Sequence, residues 1–313
     1  MIVTCTPNPS LDRTVEVDRL RRGEVQRLTA TSVHPGGKGV NVARALHRND
    51  HRTHAVVPIG GPEGDQFAAL LRAVGVPMST VAVDASIRVN VTIAESDGTT
   101  TKLNAEGAPL TPDACERLWS ETVGLAEGGG WVAGCGSLPP GVDGDFYAAL
   151  VERGRRAGCR TAVDASGPAL AEAVAVGPSL IKPNYHELSE LTGVPLATFG
   201  DAVHVAKGLC DRGVGAVLVS LGVDGALLVT SDEVLYGDSA PVTVRSTVGA
   251  GDALLAGFLA ASAAGADALA TGLAWATAAC RLPGSTMPGP EHLDPSLVRL
   301  HDGYPLDRML KGD

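Results

Sequence analysis

Ser246 to Leu259 reads STVGAGDALLAGFL: small residues at Gly249, Ala250 and Gly251, one carboxylate at Asp252, then an apolar run at helical spacing. The pattern predicts a tight turn feeding a helix. The first N–H groups of a helix have no partner within it and lie at the positive end of its dipole. Such a helix start is an anion site. An Asp in the same turn is a candidate general base beside the anion, provided the chain also supplies a nucleotide site, a metal site and an acceptor hydroxyl.

Upstream of this stretch, short apolar runs alternate with helical patterns. Ile2 to Thr6 reads as a buried strand. From residue 55 onward come AVVPIG, a helix over 65–74, a helix over 112–126, WVAGCG, a helix over 145–157, TAVDAS, a helix over 168–175 and SLIKPN. Helices over 186–191 and 201–212, AVLVSLG and ALLVT follow, and an alanine-rich helix over 269–280 comes after the organising stretch. This alternation predicts an α/β fold, a doubly wound, mostly parallel sheet flanked by helices. Two exposed strand pairs fall outside it. One is 14–17 with 26–33 around a turn at 21–24; the other is 87–94 with 99–103, joined across Asp97-Gly98, a hairpin pair. They predict a small accessory sheet, a lid inserted at about 12–34 and 86–104. Its apolar face needs covering, which points to a homodimer. No linker or repeat divides the chain, so residues 1–313 are expected to form a single domain. The closing Lys311-Gly312-Asp313 is expected to be disordered.

Composition narrows the function classes. The chain has 39 glycines, 44% hydrophobic residues and only 4% aromatics, a mix that suits a parallel sheet under helices. A net charge of −10 without a lysine or arginine block argues against nucleic acid and anionic membranes as partners. Six cysteines without a C-x-x-C pair predict reduced, buried thiols and a cytoplasmic location. Met1 leads into IVTCT with no charged leader and no long apolar run, so neither a signal peptide nor a membrane span is expected.

Several turns carry candidate chemistry. Asp12 follows the first strand after Thr6-Pro7-Asn8-Pro9-Ser10, where ligands of open α/β sheets gather; it reads equally as a turn or capping Asp. Gly36-Gly37-Lys38-Gly39 opens a helix, but fits neither a Walker A loop nor G-x-G-x-x-G. Asn41, in the first turn of that helix, reads either as a ligand to a hydroxyl or as a cap. In Lys182-Pro183-Asn184-Tyr185-His186-Glu187, Asn184 and Glu187 suit water-mediated binding of a divalent metal or an N-terminal capping box. Ser220-Leu221-Gly222-x-x-Gly225 suits nucleotide contact. The GCGSLPPG segment at 134–141 presents Ser137 beyond a strand. His47, His51 and His54 read as a solvated helix end and not as a metal site.

In combination these motifs are specific. STVGAGDALLAGFL resembles the C-terminal signature of the ribokinase-like, or PfkB, carbohydrate kinases, GGKGVNVA their N-terminal signature and KPNYHE their N-x-x-E metal motif. TPNPSLDRT, VNVARAL, RVNVTI with TKLN, GSLPPG and IKPN are similar to the phosphosugar branch, closest to bacterial 1-phosphofructokinases. The resemblance spans essentially the whole sequence. It implies a ribokinase-like fold and transfer of the ATP γ-phosphoryl group to a sugar phosphate, with Mg²⁺ and a monovalent cation as candidate cofactors. Tagatose-6-phosphate and 6-phosphofructokinase activities are the alternatives, ahead of a nucleoside or neutral-sugar kinase or a sugar-phosphate sensor. It implies that Asp252 is the general base and that Gly249, Ala250 and Gly251 form the anion hole. Asn184 and Glu187 would organise magnesium. Lys182, Asn184, Ser220, Gly222 and Gly225 would line the nucleotide site. Asp12, Gly37 and Asn41 would hold sugar hydroxyls. Arg27 and Arg88, on the two lid hairpins, would hold the sugar phosphate, with Lys38 and Ser137 nearby. Asn49-Asp50 departs from the small residue usual at the helix end, and Asn is expected to adopt the left-handed conformation there.

Overall fold

A computed structural model describes residues 1–126, 128–261 and 264–311; Gly312 and Asp313, where disorder is expected, lie outside the described residues. In chain order the elements are β1 (Ile2–Cys5), β2 (Ser10–Val17), β3 (Ala30–Gly36), α1 (Lys38–Arg48), β4 (Thr53–Ile59), α2 (Gly61–Ala73), β5 (Met78–Ala82), β6 (Arg88–Glu95) and β7 (Thr100–Leu103). Next come α3 (Pro112–Leu125), β8 (Trp131–Cys135), α4 (Phe146–Arg156), β9 (Arg160–Asp164), α5 (Gly167–Ala175), β10 (Leu180–Ile181), α6 (Tyr185–Thr192) and α7 (Phe199–Asp211). The series closes with β11 (Val217–Ser220), β12 (Ala226–Val229), β13 (Val234–Ser239), α8 (Ala250–Ala260), α9 (Ala266–Cys280) and β14 (Val298–His301).

Ten strands form one sheet in the order β14-β13-β12-β11-β10-β9-β8-β1-β4-β5. From β11 to β5 neighbours are parallel; β12, β13 and β14 add on antiparallel. β1 lies third from the β5 edge, between β8 and β4, and Ile2 sits opposite both Thr53 and Trp131. Its residues are buried on both faces, which is why IVTC reads as an unbroken apolar run. One face packs against α3 to α7, with Phe146, Tyr147 and Phe199 fully buried there. The other face packs against α1, α8 and α9. The helix starts follow local rules. Thr111 caps α3 with Pro112 at its first position, and Asn184 and Thr198 form capping boxes on α6 and α7.

The mostly parallel, helix-covered sheet agrees with the sequence reading. β5, β13 and β14 lie outside that reading. β13 mixes Gly237 and Asp238 into its ladder and β14 alternates charge with Leu300, so neither shows the apolar run that marked the central strands.

The second sheet has the order β3-β2-β6-β7. The two expected hairpins are joined into it, because β2 and β6 pair in parallel and set Asp12 beside Asn90. β2 and β3 are antiparallel, with Asp12 opposite His34. Leu11 is buried, and Val33 and Val89 pack with it against Phe67 and Leu71 of α2. The opposite face carries Asp12, His34 and Asn90. The strand expected over 26–33 starts later: residues 25–29 are not in a strand, and the bond from Thr29 N to Glu16 O (2.9 Å) begins the pairing. Arg27 therefore lies in an exposed loop, off the strand. At the end of α1 the left-handed residue is Asp50 (φ 60°), not Asn49. Asn49 is held by its side chain, which donates to Ala45 O and Pro288 O at 2.8 and 2.9 Å. No disulfide forms among the described cysteines. No helix among the described residues is long and apolar enough to cross a membrane.

Candidate active site

Gly249 precedes α8 with φ 81°, a conformation costly for any residue with a side chain. A Cβ there would also collide with Met287 Cε, 2.5 Å away. Among the described residues no side chain caps the α8 N-terminus; Ala250 N donates to Thr247 O at 3.2 Å, and the N–H groups of Gly251 and Asp252 remain available to an anion. Asp252 follows within the first turn and is 7% exposed. Its Oδ2 accepts a hydrogen bond from Asn41 Nδ2 at 2.9 Å. Asn41 Oδ1 accepts from Arg44 Nη1 (3.1 Å), and the same nitrogen donates to Pro35 O (3.2 Å). Asn41 does not cap α1; it joins the start of α1 to the start of α8. Burial raises the Asp252 pKa to about 6, with the Asp164 charge adding to the rise and the Asn41 bond and two lysines opposing it. A carboxylate so placed is ionised at neutral pH and more basic than an exposed one.

Asp164, the last residue of β9, is fully buried. Lys38 Nζ lies 2.8 Å from its Oδ1 and Lys182 Nζ 3.1 Å from its Oδ2. Lys38 also reaches Glu187 Oε1 at 3.3 Å. Burial alone would raise the Asp164 pKa, but Lys182 and Lys38 overcome it and hold the carboxyl below its ordinary value. Burial pulls Lys38 down, and Asp164 and Glu187 more than reverse that pull. Lys182 Nζ sits 3.3 Å from where a Cβ on Gly251 would be, so the missing side chain brings this cation against the helix start. The sequence reading missed Asp164. A signal existed: TAVDAS ends a buried strand in Asp, the type of position that singled out Asp12.

Asn184 and Glu187 form the capping box. Asn184 Oδ1 accepts from Glu187 N (2.8 Å) and Glu187 Oε2 from Asn184 N (2.9 Å). The box leaves Glu187 Oε1 to Lys38, so capping and a role at the site are compatible. Asn184 forms a bridge with Ser220, and Ser220 N donates to Pro183 O at 3.1 Å. This places Lys182, Asn184 and the Ser220–Gly225 turn side by side at the strand ends.

At the small sheet, Asp12 Oδ1 accepts from Ser10 Oγ (2.7 Å) and Asn90 Nδ2 (2.9 Å). Gly36 lies directly on the Asp12 carboxylate, leaving no room for a Cβ. Gly37 then starts α1. Arg88 donates to Ala105 O (3.2 Å) and Asn8 O (3.0 Å), while its buried Nε has no partner among the described residues. Asn8 Nδ2 donates to Ser137 Oγ at 3.3 Å and Glu106 O at 2.9 Å. Asn8 and Asn90 were also missed, since their parts depend on partners far along the chain; Arg44 was missed although its partners Asn41 and Pro35 are near in sequence, because its part comes from Asn41's bond to Asp252. Arg27 is not brought to this group: among the described residues no side-chain hydrogen bond or ion pair joins it to the site.

No group of three His, Cys, Asp or Glu residues suited to a metal occurs among the described residues. His51 packs at 5.8 Å from the Trp275 ring and His54 Nε2 lies 3.0 Å from Ser79 Oγ, so the three histidines do not converge. The arrangement as a whole puts a base, a helix N-terminus, two cations and a set of carboxylates at the ends of the central strands. It can take a proton from a hydroxyl beside a bound anion.

The chain is similar to known proteins over most of its length. The family model described as pfkB family carbohydrate kinase matches residues 6–291. A 1-phosphofructokinase of Haloferax volcanii is 41% identical over 293 residues, covering 92% of this chain and 93% of that protein. A 1-phosphofructokinase of Rhodobacter capsulatus is 36% identical over 299 residues, 93% of this chain and 94% of that one. Phosphofructokinase-2 from Escherichia coli, solved in complex with substrates and products, superposes with a TM-score of 0.88 at 34% identity over 93% of this chain and 96% of its own. The same enzyme has been solved in complex with potassium.

Proposed function

Since the chain belongs to the pfkB family of carbohydrate kinases, we propose that it transfers the γ-phosphoryl group of ATP to a fructose phosphate, converting fructose 1-phosphate to fructose 1,6-bisphosphate. The observation that carries the choice of a phosphorylated acceptor is the buried, unpartnered Nε of Arg88, beside Asn8, Ser137 and the Asp12–Asn90 pair. A buried donor without an acceptor is costly, and a phosphate oxygen would supply one. A neutral sugar hydroxyl would accept from it but bring no negative charge to the guanidinium. Arg27, on the exposed loop, is a second candidate for the same phosphate.

In the proposed reaction, Asp12 and Asn41 orient the sugar through its hydroxyls. Asp252 takes the proton of the free CH₂OH group. That oxygen attacks the γ-phosphorus in line, the bond to the β-phosphate oxygen breaks, and ADP leaves. The α8 N-terminus, with Gly249, Ala250 and Gly251, stabilises charge on the transferring group. Lys182, Asn184, Ser220, Gly222 and Gly225 line the nucleotide phosphates, with Lys38 between them and the sugar.

The donor set suits Mg²⁺. Asp164 and Glu187 offer hard oxygens, and Asp164 Oδ2 is buried with an ion pair but no hydrogen bond. These two residues and Asn184, partly through water, would hold the ion, which when bound neutralises charge on the nucleotide phosphates. A monovalent cation is a further candidate cofactor. We place the protein in the cytoplasm as a homodimer joined through the small sheet, whose Val91, Ile93 and Leu103 extend the apolar face beyond its contact with α2. In this reading residues 1–313 form one kinase domain and the small sheet is its lid. Closing the lid over the sugar would exclude water.

The near-symmetry of the furanose favours 6-phosphofructokinase or tagatose-6-phosphate kinase as the second reading, and the likeness to phosphofructokinase-2 supports keeping it. A coupled ADP-release assay decides. The first reading expects kcat/KM highest for fructose 1-phosphate; a maximum on fructose 6-phosphate or tagatose 6-phosphate favours the second, and preference for ribose refutes both.

A further inference from the structure

The reaction as described does not use the C-terminal segment. After β14 the chain turns back, and residues 306–310 lie along the start of α7. Phe199 N donates to Arg308 O (3.1 Å), Gly200 N to Leu306 O (2.9 Å) and Leu310 N to Ala197 O (2.9 Å). From this strap Arg308 extends its guanidinium over the Phe199 ring, 4.3 Å from the centroid. Its Nη2 donates to the Tyr236 hydroxyl at 2.9 Å and to Asp224 Oδ1 at 3.1 Å. The other oxygen of Asp224 accepts from Lys311 N at 2.7 Å.

Asp224 is 2% exposed and ends the one-turn 3-10 helix Gly222–Asp224. Its N–H donates to Leu221 O (3.1 Å), and Leu221 N donates to Gly225 O (2.9 Å). A turn of this length with glycine on either side of Val223 and Asp224 has little intrinsic preference for one shape. The turn closes the β11–β12 hairpin, with Ser220 opposite Ala226, and what ties it to the C-terminal segment is a buried carboxylate, both oxygens of which take donors from the strap. Releasing the strap would leave a buried charge unpaired, which is costly, or force the turn to move.

We infer that Arg308 is a positioning residue for the nucleotide: by holding Asp224 it fixes the backbone of the Gly222–Gly225 turn, so that the C-terminal strap sets the affinity for ATP. The inference rests on the reading of that turn as nucleotide-binding. Neither Arg308 nor Asp224 need touch the nucleotide.

The test uses the full-length enzyme. Arg308→Ala is expected to raise KM for ATP about tenfold and KM for the phosphosugar less than twofold. Asp224→Asn, which keeps the Arg308–Phe199 stacking, should move KM for ATP in the same direction, and it carries the test if Arg308→Ala does not fold. The double variant should lose no more than the worse single one, because both changes break the same link. Hydrogen exchange should show ADP protecting residues 221–225 in the wild type and protecting them less in the variants. Equal rises in both KM values, or an unmoved KM for ATP despite protection of 221–225 by ADP, overturn the inference alone. No protection of 221–225 in the wild type overturns the assignment of the turn, and the inference with it.

Discussion

At one end of the site Asp164 is wholly buried, and its two oxygens are shared between Lys38 and Lys182. At the other end Arg88 has a buried nitrogen with no partner, and Arg27 stands away on an exposed loop. The first group sits on the ends of central parallel strands and on helix starts, where the packing of the large sheet fixes it. Arg88 sits on a four-stranded sheet of which β6 is half-buried throughout, and Arg27 on the loop between β2 and β3. Phosphoryl-transfer chemistry is common to a family and is best served by a rigid, pre-organised centre. In the proposed function the choice of acceptor falls to the part of the molecule that holds the unpartnered Arg88 nitrogen.

The largest expected effect breaks the complete end. Asp164→Asn leaves Lys38 and the 4%-exposed Lys182 without their counter-charge. Removing one member of a buried charge cluster typically costs roughly 3–5 kcal/mol. Urea unfolding should show a loss of about 3 kcal/mol with activity abolished; unchanged stability would mean the cluster is not under electrostatic load. At the incomplete end, Arg88→Ala should raise KM for the phosphosugar by about 10-fold or more, the scale of a lost charge-assisted hydrogen bond, with little change in KM for ATP. Equal changes in both constants would remove Arg88 from the sugar phosphate.

A smaller effect concerns Asp252 itself. Its pKa is about 6 in the fold against an ordinary 3.8. A raised folded pKa means that the neutral form is the better accommodated one. This group's contribution is therefore fully present below the ordinary value and is lost as pH rises through about 6. Asp252→Asn, always neutral, should be more stable than the wild type at pH 8 by on the order of 1 kcal/mol, with the difference shrinking toward pH 4. Thermal melts at the two pH values check this; a variant less stable at pH 8 would contradict the burial argument. Smallest of all, Arg27→Ala should change unfolding free energy by less than about 0.5 kcal/mol, as an exposed loop residue does. A larger loss would show that Arg27 has a structural partner.

The sequence made the organising stretch legible because everything it needs is local: a positive-φ glycine, small residues, a carboxylate and an apolar helix within fourteen positions. The capping box of Asn184 and Glu187 was legible for the same reason, and the same spacing also suited the metal role proposed for the pair. Asp164 was not legible, since its meaning comes from Lys38, 126 residues away. Asn41 was singled out, but its bond to Asp252 spans 211 residues, and only folding could decide between cap and ligand. β14, an edge strand, and its neighbour β13 escaped because their residues mix glycine and charge into the ladder and show no apolar run. Arg27 was misplaced because alternating residues at 26–33 mimic a strand whose pairing begins only near Thr29.

In the proposed mechanism the buried carboxylate at the start of α8 removes the proton from a phosphosugar hydroxyl. Single-turnover transfer of labelled γ-phosphate from ATP to fructose 1-phosphate, measured for the wild type and Asp252→Asn at pH 8 with nucleotide binding measured in parallel, tests it most directly. The predicted result is a variant that folds and binds ATP as the wild type does but transfers phosphate about 10²–10⁴-fold more slowly; transfer within a few-fold of the wild-type rate would contradict it.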